Sequence, residues 1–126
     1  VPAIGTEFTM FVAYVTLTLL AVAANVCIAA VDYTRSPAVL ANMDGAGVPR
    51  SWLYPLAHLK LAGALGLLAG FAVPLIGVAA AVGLVLFFSG AVFFHLRARE
   101  YRLQYPLTYW VLAAGALVTG LAHRGI

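Results

Sequence analysis

The sequence predicts an all-α polytopic membrane protein, a four-transmembrane-helix antiparallel bundle, and three observations predict it. Four apolar stretches fill most of the 126 residues. Apolar side chains make up 64% of the chain and charged ones only 9%, which leaves too little polar surface to solvate a globule. Five of the seven basic residues fall in only two of the connections between the stretches. A span needs ~17–25 predominantly apolar residues, so Met10–Val31, Leu53–Val73 and Leu75–Leu96 are comfortably long and Pro106–Ala122 is short. Hydrocarbon offers no partner to backbone N–H and C=O groups, so each stretch must be a helix.

Taken in order, Gly5-Thr6-Glu7-Phe8 is what two adjacent restriction sites encode in frame. Val1–Thr9 is therefore expected to be vector-derived, with one membrane domain over residues 10–126. The first stretch reads as a retained helix, because no basic region precedes it as in a signal peptide. Between the first and second stretches, Ser36 is a candidate N-cap before Pro37, and Val39, Leu40 and Met43 precede Gly45. That pattern predicts a short helix lying on the membrane surface. Pro74 suits the first turn of the third helix, so the second and third helices form a tight antiparallel hairpin. Trp52, Tyr54, Tyr101, Tyr105, Tyr109 and Trp110 lie near the ends of the spans on the basic side, as amphipathic rings do at headgroup depth.

Arg35 and Arg50 occupy the first connection, and Arg97, Arg99 and Arg102 the third, whereas Arg124 is alone on the opposite side. The positive-inside rule then puts both basic connections in the cytoplasm and both termini outside the inner (plasma) membrane. A net charge of +3 would suggest nucleic acid in a soluble chain, but here the arginines sit at helix ends. They read as topology signals and lipid contacts, with no nucleic-acid partner. Small residues at spacing four (Ala62, Gly66 and Gly70; Ala79 and Gly83; Ala116 and Gly120) would let helices approach closely, within one bundle or between copies in a homo-oligomer.

Chemistry would have to come from polar groups inside the spans. Tyr14, Thr18, Ala21, Asn25, Ile28 and Asp32 recur at alternating intervals of four and three along one face of the first helix. His58, Lys60 and His95 enter the same cytoplasmic half of the bundle from the second and third helices, so Asn25, Asp32, His58, Lys60 and His95 form the candidate ligand-binding set. An ammonium in a membrane needs a counter-ion or must snorkel, and Asp32 is the one acid near that depth, which predicts an Asp32–Lys60 pair. Haem is disfavoured because His58 and His95 differ in depth by more than a turn. No metal site is expected, since two His and one Asp are too few ligands. Cys27 is a lone thiol, and Walker, nucleophile-elbow and dinucleotide motifs are missing.

Val48-Pro49-Arg50-Ser51-Trp52-Leu53, Leu59-Lys60-Leu61-Ala62-Gly63-Ala64-Leu65-Gly66-Leu67-Leu68, Gly83-Leu84-Val85-Leu86-Phe87-Phe88-Ser89-Gly90-Ala91-Val92 and His95-Leu96-Arg97-Ala98 occur in that order. This ordered combination resembles the DoxX-like family of small bacterial membrane proteins. The resemblance implies four membrane helices and, from some relatives, a role as the membrane subunit of a thiosulfate:quinone oxidoreductase or a related complex. More typical members carry a Glu near the position of Ala64. The functional expectation is a non-catalytic accessory subunit, or a protein binding a small amphipathic ligand such as a quinone, in a membrane oxidoreductase system. A small oligomeric transporter or channel, and an enzyme acting on a lipid-soluble substrate through His58 or His95, are the competing classes.

Overall fold

The computed structural model describes residues 3–124, and side chains from Gly5 to Arg124. Five α-helices follow one another: α1 (Ala3–Tyr33), α2 (Pro37–Ala46), α3 (Leu53–Ala69), α4 (Pro74–Arg97) and α5 (Gln104–Arg124), with a 3₁₀ turn over Arg50–Trp52. The four long ones, α1, α3, α4 and α5, are each long and apolar enough to cross a membrane. They form a square in which α1 packs on α3 and α5, and α4 packs on the same two. Every neighbouring pair runs antiparallel, as short connections require.

The α1 helix continues without a break through the stretch 3–9 ahead of Met10. The α3 helix stops at Ala69, and residues 70–73 make the turn into α4. It is shorter than the apolar run because Val73, placed before Pro74, takes the extended backbone (φ −124, ψ 96) that the pyrrolidine ring imposes on its predecessor.

The short helix α2 forms as the sequence predicts. Ser36 is its N-cap, with Val39 N–H donating to the Ser36 hydroxyl at 3.3 Å, and Pro37 fills the first turn. Its end is one residue pair later than Gly45, at Gly47, where φ is 73. A Cβ would strain that left-handed conformation, so glycine closes the helix there. Met43 and Ala46 are buried, and α2 packs against α4 at the basic end.

An Asp44–Arg50 ion pair at 2.6 Å ties α2 to the turn preceding α3. The two hydrogen bonds from the guanidinium hold the Asp44 carboxyl below its ordinary value of 3.8. Because the folded pKa is depressed, the contribution of this pair is complete above the ordinary carboxylate range and fades as pH falls through and below it. The protection of amides in residues 37–51 against hydrogen exchange, relative to their intrinsic rates, should therefore fall below about pH 4. Both side chains are more than half exposed, so added salt at neutral pH should produce part of the same loss of protection.

Packing between helices relies on close approach, since lipid tails provide no hydrophobic drive. Gly66 faces Ala80, and Gly70 lies against Gly77 backbone to backbone. Ala116 and Gly120 are buried as the spacing predicts. Ala62, Ala79 and Gly83 are not in the interior: all three are exposed, and a Cβ at Gly83 would meet nothing. On α4 the row facing α3 contains Gly77, Ala80 and Leu84, and a helix turning 100° per residue carries Ala79 and Gly83 away from it. Tyr109 and Trp110 also depart from the headgroup belt. Tyr109 packs on Phe88 with ring centroids 5.4 Å apart, and the Trp110 indole donates to the Ser89 hydroxyl at 2.9 Å, joining α5 to α4. Trp52, Tyr54, Tyr101 and Tyr105 are exposed near the basic end.

Candidate functional site

One face of α1 carries polar groups through the whole depth of the bundle. Its buried line is Tyr14, Thr18, Ala21, Asn25, Ala29 and Asp32. Tyr14 and Asp32 are separated by five turns at ~3.6 residues each, so they share a face. Ile28, expected on this line, is half-buried, and Ala29 takes its place at 1% exposure.

At the basic end, Lys60 Nζ lies 2.6 Å from Asp32 Oδ2, with the two side chains 14% and 6% exposed. The ammonium also stands 5.7 Å from the centroid of the Phe87 ring on α4, which joins three helices around one desolvated charge pair. Asp32 supplies the counter-ion that the lysine requires, so the ammonium is held inside instead of snorkelling outward.

The other three candidate residues go elsewhere. Asn25 donates from Nδ2 to the Ala21 carbonyl at 2.8 Å, and its buried Oδ1 has no partner among the described residues. His95 is buried and bonded through Nδ1 to the Ala91 carbonyl at 2.8 Å, with Nε2 unpartnered. Because a carbonyl only accepts, Nδ1 carries the proton and the ring is the Nδ1–H tautomer. His58 is exposed, and its Nδ1 meets the Tyr33 hydroxyl at 2.5 Å. Of the five, only Asp32 and Lys60 bond to one another.

No sequence pattern marks Tyr33, although it follows Asp32 directly and pairs with His58 in the same antiparallel register that joins Asp32 to Lys60. A larger omission is Arg124, which sequence reasoning treats only as a topological charge. Its Nη2 donates to the Tyr14 hydroxyl and to the Gly70 carbonyl, both at 2.8 Å, and the guanidinium lies 5.2 Å from the Tyr14 ring centroid. This contact joins the end of α5 to the start of α1 and to the turn between α3 and α4. Arg124→Gln should lower stability in detergent by about 1 kcal/mol, a charged hydrogen bond discounted for partial exposure. Tyr14→Phe keeps the ring and the Gly70 bond, so its thermal shift should be the smaller of the two; a larger one would put the contact's weight on the hydroxyl.

Beneath Arg124 is a cavity of about 10 Å³ lined by Tyr14, Leu67, Gly77, Ala81 and Ala116 among others, room for about one water. A second, shallow depression of about 320 Å³ opens outward on α5 between Gln104 and Leu112. Neither lies among Asn25, Asp32, Lys60 and His95. Among the described residues no three His, Cys, Asp or Glu side chains come together as a metal-holding group. Ala64 is fully buried.

A family model described as "DoxX-like family" matches residues 2–119. Comparison with curated proteins and with solved structures gives no match.

Proposed function

This chain belongs to the DoxX-like family, and we propose that it is a non-catalytic integral-membrane subunit of a membrane oxidoreductase system. In this reading it lies in the inner membrane with its basic connections in the cytoplasm. The observation that carries its non-catalytic part is the closed Asp32–Lys60 pair, 2.6 Å apart and mostly desolvated, while the oxidoreductase part rests on the family resemblance. A residue that binds substrate or relays ions must present its charge to an opening, and here the two charges are spent on each other. A transport reading would draw on the polar line of α1. That line is interrupted by Ala21 and Ala29, both essentially without exposed surface, and is covered at one end by Arg124.

The supporting features are therefore those of a scaffold: a bundle closed around its charges and an outer surface rich in exposed Leu, Val and Phe for neighbours in the bilayer. A tagged chain purified from its native membrane in mild detergent should carry a redox-cofactor-bearing protein at fixed stoichiometry. Quinone extracted from the same preparation should follow that partner and be lost when the two are separated. Quinone turnover by the chain alone, or ion flux through it in liposomes, would overturn the reading.

A further inference from the structure

A ladder of four side chains climbs the outside of the seam between α1 and α3. His58 is at its foot, with ring centroids 5.4 Å from Tyr33; Tyr33 stacks on Tyr54 at 5.9 Å; and the Arg35 guanidinium stands 5.6 Å from the Tyr54 centroid. Arg35 has φ 51, in the left-handed backbone that closes α1. Tyr54 and His58 are four residues apart on one helix, about 6 Å along its axis. The charged group therefore sits about one turn nearer the aqueous surface than the imidazole.

The chemistry of each rung is specific. A phenol O–H is the better donor and a ring nitrogen the better acceptor, so the Tyr33 hydroxyl donates to His58 Nδ1 and the imidazole proton is on Nε2. His58 is exposed, close to the basic end of the apolar span, and its Nε2–H has no hydrogen bond among the described residues. Left unmet in lipid it is costly, and the acceptor available at that depth is a carbonyl.

Charge bookkeeping at this end points the same way. Asp44 is held by Arg50, Glu100 by Arg102 and Asp32 by Lys60. Arg35, Arg97 and Arg99 have no carboxylate within ion-pair distance among the described residues, so this end of the bundle complements an anion. Arg97 lies over Phe94, beside Trp52, with no imidazole donor beneath it. The Arg35 seam places a cation without a carboxylate partner among the described residues about one turn from an imidazole.

We propose that the α1–α3 seam binds one anionic phospholipid, its phosphate against Arg35 and a glycerol-ester carbonyl on the His58 Nε2–H. The offset between cation and donor matches the offset between phosphate and ester in a glycerophospholipid. This inference does not rest on the oxidoreductase reading.

Native mass spectrometry of the full chain released from nanodiscs tests it, using phosphatidylglycerol and phosphatidylcholine of identical acyl chains, with an isoprenoid benzoquinone in a parallel arm. Wild-type protein should retain one phosphatidylglycerol in preference to phosphatidylcholine by about fivefold, the contribution of one arginine near an anionic surface. Arg35→Gln should abolish the preference, His58→Leu should reduce retention of both lipids, and Arg97→Gln should leave both unchanged. All three positions are exposed, and an unchanged melting temperature confirms that each variant folds. Equal retention of the two lipids by wild type would overturn the proposal. So would an equal effect of Arg97→Gln, which would mean diffuse charge attraction, or quinone retention that depends on His58 but not on Arg35.

Discussion

Replacing Asp32 with alanine will cost about 3–5 kcal/mol of stability, the largest loss expected from any single polar substitution in this chain. The reason is not the lost contact alone. Lys60 Nζ is 2.6 Å from Asp32 Oδ2 and its side chain is 14% exposed, so the mutation leaves an ammonium inside the bundle with only the Phe87 ring, 5.7 Å away, for compensation. Lys60→Met alone strands the carboxylate, whose side chain is 6% exposed. The double change Asp32→Ala with Lys60→Met removes both charges, and an apolar replacement of a buried pair is commonly neutral or better. The double mutant should therefore be more stable than Asp32→Ala, and because it loses little while each single change strands a charge, the coupling should be no smaller than the ~3–5 kcal/mol lost by Asp32→Ala alone. Thermal unfolding of the four proteins in one detergent measures the cycle. Additive losses would show that the charges are independent and that the lysine makes its own way to the headgroups.

The same pair shows how much of the fold was legible in the sequence. The four spans were readable because apolar length is a one-dimensional property, and the α2 helix because Ser36 and Pro37 act locally. Asp32 with Lys60 followed from scarcity, there being one acid at the depth of one buried lysine. What remained hidden depends on rotation about helix axes. The α1 line was traceable for five turns, yet Ile28 and Ala29 exchange places because adjacent positions differ by only 100°. His58 belonged by depth to the interior set but lies outside the α1–α3 seam, since depth does not specify the face. Arg124 was read as a topological marker because nothing local announces that a terminal guanidinium will fold back onto Tyr14 and Gly70, residues 110 and 54 positions away. Family resemblance, carried by ordered glycine-rich segments, was easier to read than the role of any one side chain in them.

Gly77 and Gly70, which face each other across the α3–α4 hairpin, are the positions where the smallest steric change should have the next largest effect. A Cβ at Gly77 would stand 2.8 Å from the Gly70 Cα, and one at Gly66 would stand 2.6 Å from the Ala80 Cβ. Neither neighbour is a flexible side chain that can swing aside, so the α3 and α4 backbones must separate. In a bilayer that separation forfeits the dispersion contacts that hold the helices together. Gly77→Ala should cost ~1–3 kcal/mol, and Gly77→Leu should cost more. Gly83→Ala and Gly90→Ala are the internal controls, since a Cβ at either would meet nothing within 4 Å. Removing glycine from a helix interior is expected to be neutral or favourable by up to ~1 kcal/mol. Separation at Gly77 also moves the Gly70 carbonyl that accepts from Arg124, so the losses from Gly77→Ala and Arg124→Gln should be less than additive when combined. Equal destabilisation by Gly77→Ala and Gly83→Ala would mean that close approach at the hairpin does not hold α3 to α4.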